Sequence, residues 1–323
     1  MKIKHIGLLA GLALAFSAPS VLAVEKMRLA HSLPEDHAVH KAMVKFAELV
    51  KQNSKGEIEI GIFANGVLGG ERETLEQVQN GALDMTKASA SPLETFSPEF
   101  KVFNLPFIFR DKAHFFKVLE SPVGESILAS SKKAGFIGLA YYDSGARSFY
   151  AKKAINTPDD LKGVKIRVQQ SPTTIKMIQT LGATPTPMPY GEVYSALQMG
   201  VVDGAENNVT ALTNGRHGEV AKFYSVTEHQ MVPDVLIISA ARWDSLKKPQ
   251  QDVIKQAAME SFKLQKQLWA EFEKTEGAKA EKLGVKFIKP NKQAFIAKAK
   301  PMIDEERKNP TIAKLLDQIA AVK

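Results

Sequence analysis

The chain has 323 residues, 44% of them hydrophobic, a net charge of +8 and no cysteine, which rules out thiol catalysis, thiolate metal sites and disulfide staples. Its lysines are spread along the chain rather than gathered into a stripe with aromatics, so nucleic-acid binding is not expected. G-x-S-x-G, G-x-x-x-x-G-K-[ST] and G-x-G-x-x-G are all missing, and no cofactor is expected.

Residues 1–23 read as a secretory signal peptide: Lys2 and Lys4, an apolar run from Ile6 to Phe16, then Val21-Leu22-Ala23 before a cut near Ala23. That run is too short to span a bilayer, and no later segment approaches 18 unbroken apolar residues. The expected mature chain starts at Val24, carries +6, and at about 300 residues exceeds what one hydrophobic core usually supports, so two domains are expected.

Lys26–Ala30 reads as a strand, followed by a loop with His31, Pro34 and Asp36 and a helix through Met43, Phe46 and Val50. Glu57–Phe63 alternates like a half-buried strand. A helix from Glu71 to Gln79 stops at Asn80-Gly81, and a short strand, Ala82–Thr86, comes next. An apolar strand ends at Tyr142, just before Arg147. Gly163–Val168 is a further strand, Ser171-Pro172 opens a helix, and a helix closing at Met199-Gly200 precedes a strand Val201–Ala205. From Pro249 to about Lys282 the pattern is helical, long enough to brace two lobes; a strand near Val285–Ile288 and two helical segments finish the chain.

The order recurs. Gln79-Asn80-Gly81-Ala82-Leu83-Asp84 matches Gln198-Met199-Gly200-Val201-Val202-Asp203, and Met27-Arg28-Leu29 parallels Ile166-Arg167-Val168. Two distant copies fit two similar α/β lobes facing a cleft at the carboxyl ends of their strands, not a solenoid.

Arg167 lies in an otherwise apolar strand, where a guanidinium is costly to bury unless a carboxylate satisfies it. Its planar fork suits a bidentate carboxylate, and Arg147 stands at a similar strand end. Each could instead serve an internal salt bridge. Asn207 and Asn208 end the second copy and suit hydroxyl or carboxylate recognition, or a turn and cap; Lys87 occupies nearly the matching place in the first copy. His31 and His37 are candidate ligand-lining residues, or serve only the start of the helix that follows; with His40 they match no zinc spacing, and no metal is expected.

These residues resemble a known family, the substrate-binding proteins of TRAP (tripartite ATP-independent periplasmic) transporters. The resemblance rests on Gly145-Ala146-Arg147-Ser148, on Leu161 through Val168, and on Ala196-Leu197-Gln198 with Gly200 through Asn207, and it spans essentially the whole mature chain. It implies a periplasmic-binding-protein-like α/β fold: two domains around a cleft, crossing strands and a long bracing helix. The implied division is 24–146 with 235–273, and 147–234 with 274–323. It also implies a carboxylate held by Arg167 with help from Arg147 and Asn207, a monomer that is not an enzyme, and delivery to small and large membrane subunits driven by a sodium gradient. Leu68 through Glu73, Asp84 through Lys87 and Glu206-Asn207-Asn208 look like the branch that takes sugar acids such as glucuronate and galacturonate. Glu71, Lys87, His31 and Asn208 would then meet ring hydroxyls, although Glu71 also suits a helix start. A C4-dicarboxylate or other aliphatic acid is the alternative. An exported carbohydrate-active enzyme is remote, because Glu71 and Glu206 are the only carboxylate pair available to it.

Overall fold

A computed structural model describes residues 24–323; the expected signal peptide, 1–23, lies outside the described residues. Among the described residues eleven strands form two sheets: β1 (Glu25–Ala30), β2 (Ile58–Phe63), β3 (Met85–Ser89), β4 (Phe136–Tyr142), β5 (Arg147–Ala151), β6 (Lys165–Val168), β7 (Thr184–Pro187), β8 (Gly204–Asn207), β9 (Phe223–Gln230), β10 (Asp234–Ser239) and β11 (Lys286–Ile288). One sheet has the order β2-β1-β3-β10-β4, the other β11-β9-β5-β8-β6-β7. In both, a parallel trio (β2-β1-β3, β7-β6-β8) is extended by an antiparallel strand that arrives directly from the other sheet.

The repeat is therefore structural. The helix Glu71–Gln79 precedes β3 as the helix Val193–Gln198 precedes β8. Asp84 Oδ2 accepts from the Arg28 amide at 2.8 Å, and Asp203 Oδ2 from the Lys165 amide at 2.9 Å. These carboxylates hold the residues before each strand in a turn, so β3 and β8 both begin about three residues later than the apolar pattern suggests. They also correct the alignment of the copies. Leu29 pairs with Met85 as Ile166 pairs with Gly204, so Arg28 corresponds to Lys165, Ala30 to Arg167, and Lys87 to Glu206 rather than to the asparagines.

The lobes join through 143–146 and 231–233, and along the 35-residue helix Lys248–Lys282, about 52 Å long. Its buried Ile254, Ala257, Ala258, Ser261, Phe262, Gln265 and Trp269 repeat at helical spacing and face the helix Ala38–Asn53 and β4. Trp269 is fully buried, a contribution of roughly 3–5 kcal/mol. Farther along, the helix meets the turn Val209–Leu212 of the other lobe. Gln265 clamps the first crossing: its Oε1 accepts from the Asp143 amide (2.9 Å) and its Nε2 donates to the Asp143 carbonyl (2.7 Å).

The last helix crosses back. The implied division placed 274–323 together, yet Pro310–Ala321 lays Ile312, Leu315, Leu316 and Ile319 on Pro98–Asn104 and Pro122–Ser130, beside the first sheet. Its terminal carbonyls accept from Arg110 (Ala320 at 3.2 Å, Val322 at 2.6 Å), with His114 Nε2 at 2.9 Å from the Ile319 carbonyl. A cation suits that negative helix end.

Candidate ligand site

The cavity between the lobes is lined from both sides by Glu71, Lys87, Arg147, Arg167, Gln169, Tyr190, Asn207 and Asp234, among others. β5 and β10 run antiparallel to their neighbours, so their first residues, Arg147 and Asp234, lie at the same end as the last residues of β8 and β3.

At one end stand two buried arginines with different partners. Arg147 is satisfied: Nε donates to Glu206 Oε2 (2.6 Å), Nη2 to Glu206 Oε1 (2.9 Å) and Nη1 to Asn207 Oδ1 (2.9 Å). Burial would raise the Glu206 pKa, but Arg147 and then His229, 3.5 Å away, outweigh it and hold the carboxyl at about 2. Arg167, 2% exposed, has no carboxylate partner among the described residues. Its Nε and Nη2 share the Met188 carbonyl (3.1 and 2.7 Å), and burial pulls its pKa down. A guanidinium kept dry with one carbonyl is poised for an anion.

At the other end Lys87, also 2% exposed, donates to Glu71 Oε1 (3.1 Å) and Asp234 Oδ2 (3.0 Å). Burial alone would lower its pKa, but Asp234 and Glu71 lift it to about 12. The Ser89 amide also donates to Glu71 Oε1, at 3.2 Å. A roomier cleft lies on the hinge side, but its lysines are already paired: Lys112 with Asp143 and Glu273, and Lys292 with Glu228, each at 3.0 Å.

Residues 29–309 match the bacterial extracellular solute-binding protein family 7. The chain belongs to that family. A TRAP periplasmic solute-binding protein of Bradyrhizobium, solved with α/β-D-galacturonate, is 44% identical, with a TM-score of 0.90 over 92% of this chain and 99% of its own. Another from Roseobacter denitrificans, solved with β-D-glucuronate, is 36% identical, with a TM-score of 0.90 over 93% of this chain and 100% of its own. The C4-dicarboxylate-binding periplasmic protein DctP of Rhodobacter capsulatus is 33% identical over 75% of this chain and 74% of its own. This chain thus has the two-domain α/β fold of TRAP solute-binding proteins, as the sequence motifs implied.

In this solute-binding protein the cavity gathers seven of the eight expected residues: Arg167, Arg147, Asn207, Glu71, Lys87, Asn208 and His37. Two of them carry structural duties. Asn208 spends its amide on the Ser144 carbonyl (2.9 Å) and the Thr210 amide (3.0 Å), and His37 caps its helix by accepting from the Val39 amide at 3.1 Å. His31 stands outside the lining. Its Nδ1 accepts from the Leu33 amide (3.2 Å), which leaves the Nε2 proton for His40 Nδ1 (3.0 Å). Burial, and then Lys87, drops its pKa to about 3, so it is a neutral loop brace. Eight lining residues escaped the sequence reading, Gln169, Asp234 and Tyr190 among them. Gln169 follows Arg167 by two positions on the same strand, a signal that was available. Asp234 and Tyr190 gave none, since Asp234 starts a strand placed only by pairing and Tyr190 opens a single short helical turn.

Proposed function

We propose that this chain captures a hexuronate, glucuronate or galacturonate, by hinge closure and delivers it to the small and large TRAP membrane subunits. The observation that carries this reading is Arg167, a buried guanidinium with only a carbonyl for partner, in a cavity whose far end is a paired Lys87, Glu71 and Asp234. The ligand carboxylate takes the arginine fork, and the hydroxylated ring faces the mixed charges. The uronates bound by the Bradyrhizobium and Roseobacter relatives support the same class.

A C4-dicarboxylate fits less well. Its second carboxylate would meet Glu71 and Asp234, with Lys87 already shared between them. Hydrolysis is disfavoured too, because Glu206 is held ionised by Arg147 and has no proton to donate near neutral pH. The protein works as a monomer outside the cytoplasm after cleavage near Ala23. Its closing lobes are 24–146 with 235–273 and 147–234 with 274–309, and the helix Pro310–Ala321 is strapped back to the first.

A thermal-shift screen of both uronates, an aldonate, succinate and malate tests this. A ligand bound only by the folded state raises the melting point, by roughly 2.7 kcal/mol of stabilisation at a hundredfold excess over Kd. A uronate should give the largest shift; a shift with succinate or malate and none with either uronate refutes the proposal.

A further inference from the structure

Sheet register makes Asp234 the counterpart of Arg147. Lys87 corresponds to Glu206 through the Asp84 and Asp203 contacts. Leu236 pairs with Lys87, and Phe149 with Glu206; two residues earlier on each crossing strand stand Asp234 and Arg147. The two lobes therefore present one device with inverted charge. In one, an arginine at the strand start grips a carboxylate on the central strand; in the other, an aspartate grips a lysine. The first device stands beside Arg167. The second faces it across the same cavity.

The hydrogen-bond inventory of this second device is incomplete within the protein. An ammonium has three protons. Glu71 Oε1 and Asp234 Oδ2 take two from Lys87, and among the described residues no side chain or carbonyl accepts the third. Asp234 Oδ1 likewise accepts nothing, and Glu71 Oε2 has only Gln169 Nε2 at 3.5 Å, the outer limit of a hydrogen bond. Two acceptors flank one donor, all on side chains that line the cavity.

We propose that Asp234, with Glu71 and Lys87, is a clamp for two adjacent hydroxyl groups at the end of the ligand away from its carboxylate. One hydroxyl donates to Asp234 Oδ1 and its neighbour to Glu71 Oε2, while the shared ammonium donates between them. A hydroxyl satisfies both partners because it donates and accepts at once, whereas a carboxylate has no proton to give and a methylene offers nothing. Asp234 is thus a specificity-determining residue, and it begins the strand that immediately follows the second crossing.

The clamp rests on the hexuronate reading above, and the test separates the two. Calorimetry on the intact mature protein would compare both hexuronates and their monodeoxy analogues between native chain and Asp234→Asn. The native protein should lose at least tenfold in affinity when either clamped hydroxyl is removed. Asp234→Asn should bind the preferred hexuronate at least 30-fold more weakly, yet lose under threefold on removal of the hydroxyl that Asp234 holds. An affinity within threefold of native, or an equal loss with every analogue, overturns the clamp. If Asp234→Asn does not fold, Glu71→Gln, which keeps the Lys87–Asp234 pair, must show the same selective loss for the neighbouring hydroxyl; an unselective loss overturns it equally. A native protein that binds neither hexuronate refutes the parent reading and the clamp together, whereas native binding with insensitive variants refutes the clamp alone.

Discussion

Arg167 and Arg147 look alike in the sequence and differ in the fold. Arg147 forms a complete fork with Glu206, whereas Arg167 has a single carbonyl. Arg167→Ala should weaken uronate binding by about 2–5 kcal/mol, since the ligand carboxylate would be buried without its partner. Arg167→Lys should do nearly as badly, because a point donor replaces a planar fork. Calorimetry placing Arg167→Ala within twofold of native would remove the carboxylate from that address. Protonation provides a second residue-scale test. His31 and His217 are held neutral by burial, with folded pKa values of about 3 against an ordinary 6.5, and Glu206 sits at about 2 against 4.5. The unfolded chain therefore binds more protons in acid. The histidine contribution is complete above pH 6.5 and lost as pH falls toward 3; that of Glu206 is lost between 4.5 and 2. Urea unfolding should show stability dropping by several kcal/mol from pH 7.5 to 4.5, and His217→Gln should flatten part of that slope. A flat native profile would contradict the buried neutral histidines.

The elements of each parallel trio were legible where periodicity had length to work with: the helices Ala38–Asn53, Glu71–Gln79 and Pro172–Leu181, the strands near β1, β2 and β6, and the long helix. The misses have physical causes. β9 and β10 carry few local signals, because both their faces are largely buried and alternation disappears. β3 and β8 were read about three residues early, because a distant backbone amide recruits Asp84 and Asp203 into turns. The crossing at 143–146 gives an element-scale prediction. Gly145 has φ +65°, and a Cβ there would sit 2.6 Å from Glu273 Oε1 and 3.2 Å from Trp269 Cζ2. Gly145→Ala should cost about 1–3 kcal/mol by urea unfolding and slow ligand capture, since this turn must rotate when the lobes close. A variant as stable as native would mean that the crossing has slack beside the long helix.

Across the whole molecule, contacts between lobes hold the cleft together. Asn214 Nδ2 donates to Asp36 Oδ1 at 2.9 Å, and Gln169 bridges to Ser89 (3.4 Å) and Glu71 (3.5 Å). The Asp36–Asn214 bond is solvent-exposed, worth about 0.5–1.5 kcal/mol. Asn214→Ala should therefore raise the ligand dissociation rate roughly two- to tenfold and leave association nearly unchanged. Stopped-flow release measurements check this, and small-angle scattering should show the native radius of gyration falling on ligand addition. An unchanged release rate would assign closure to the ligand contacts alone.

The sequence by itself determined the class of the protein. An apolar strand carrying one arginine, a repeated helix–turn–strand unit and a long unbroken helix are local patterns, and local patterns survive without coordinates. What only the tertiary structure decided is which charges cancel. Arg147 and Glu206 lie 59 residues apart, and Lys87 and Asp234 lie 147 apart; sheet register alone brings each pair together. Register also made Asp234 the mirror of Arg147. Coulomb energy depends on distance in space, which the one-dimensional order of residues does not contain until strands pair.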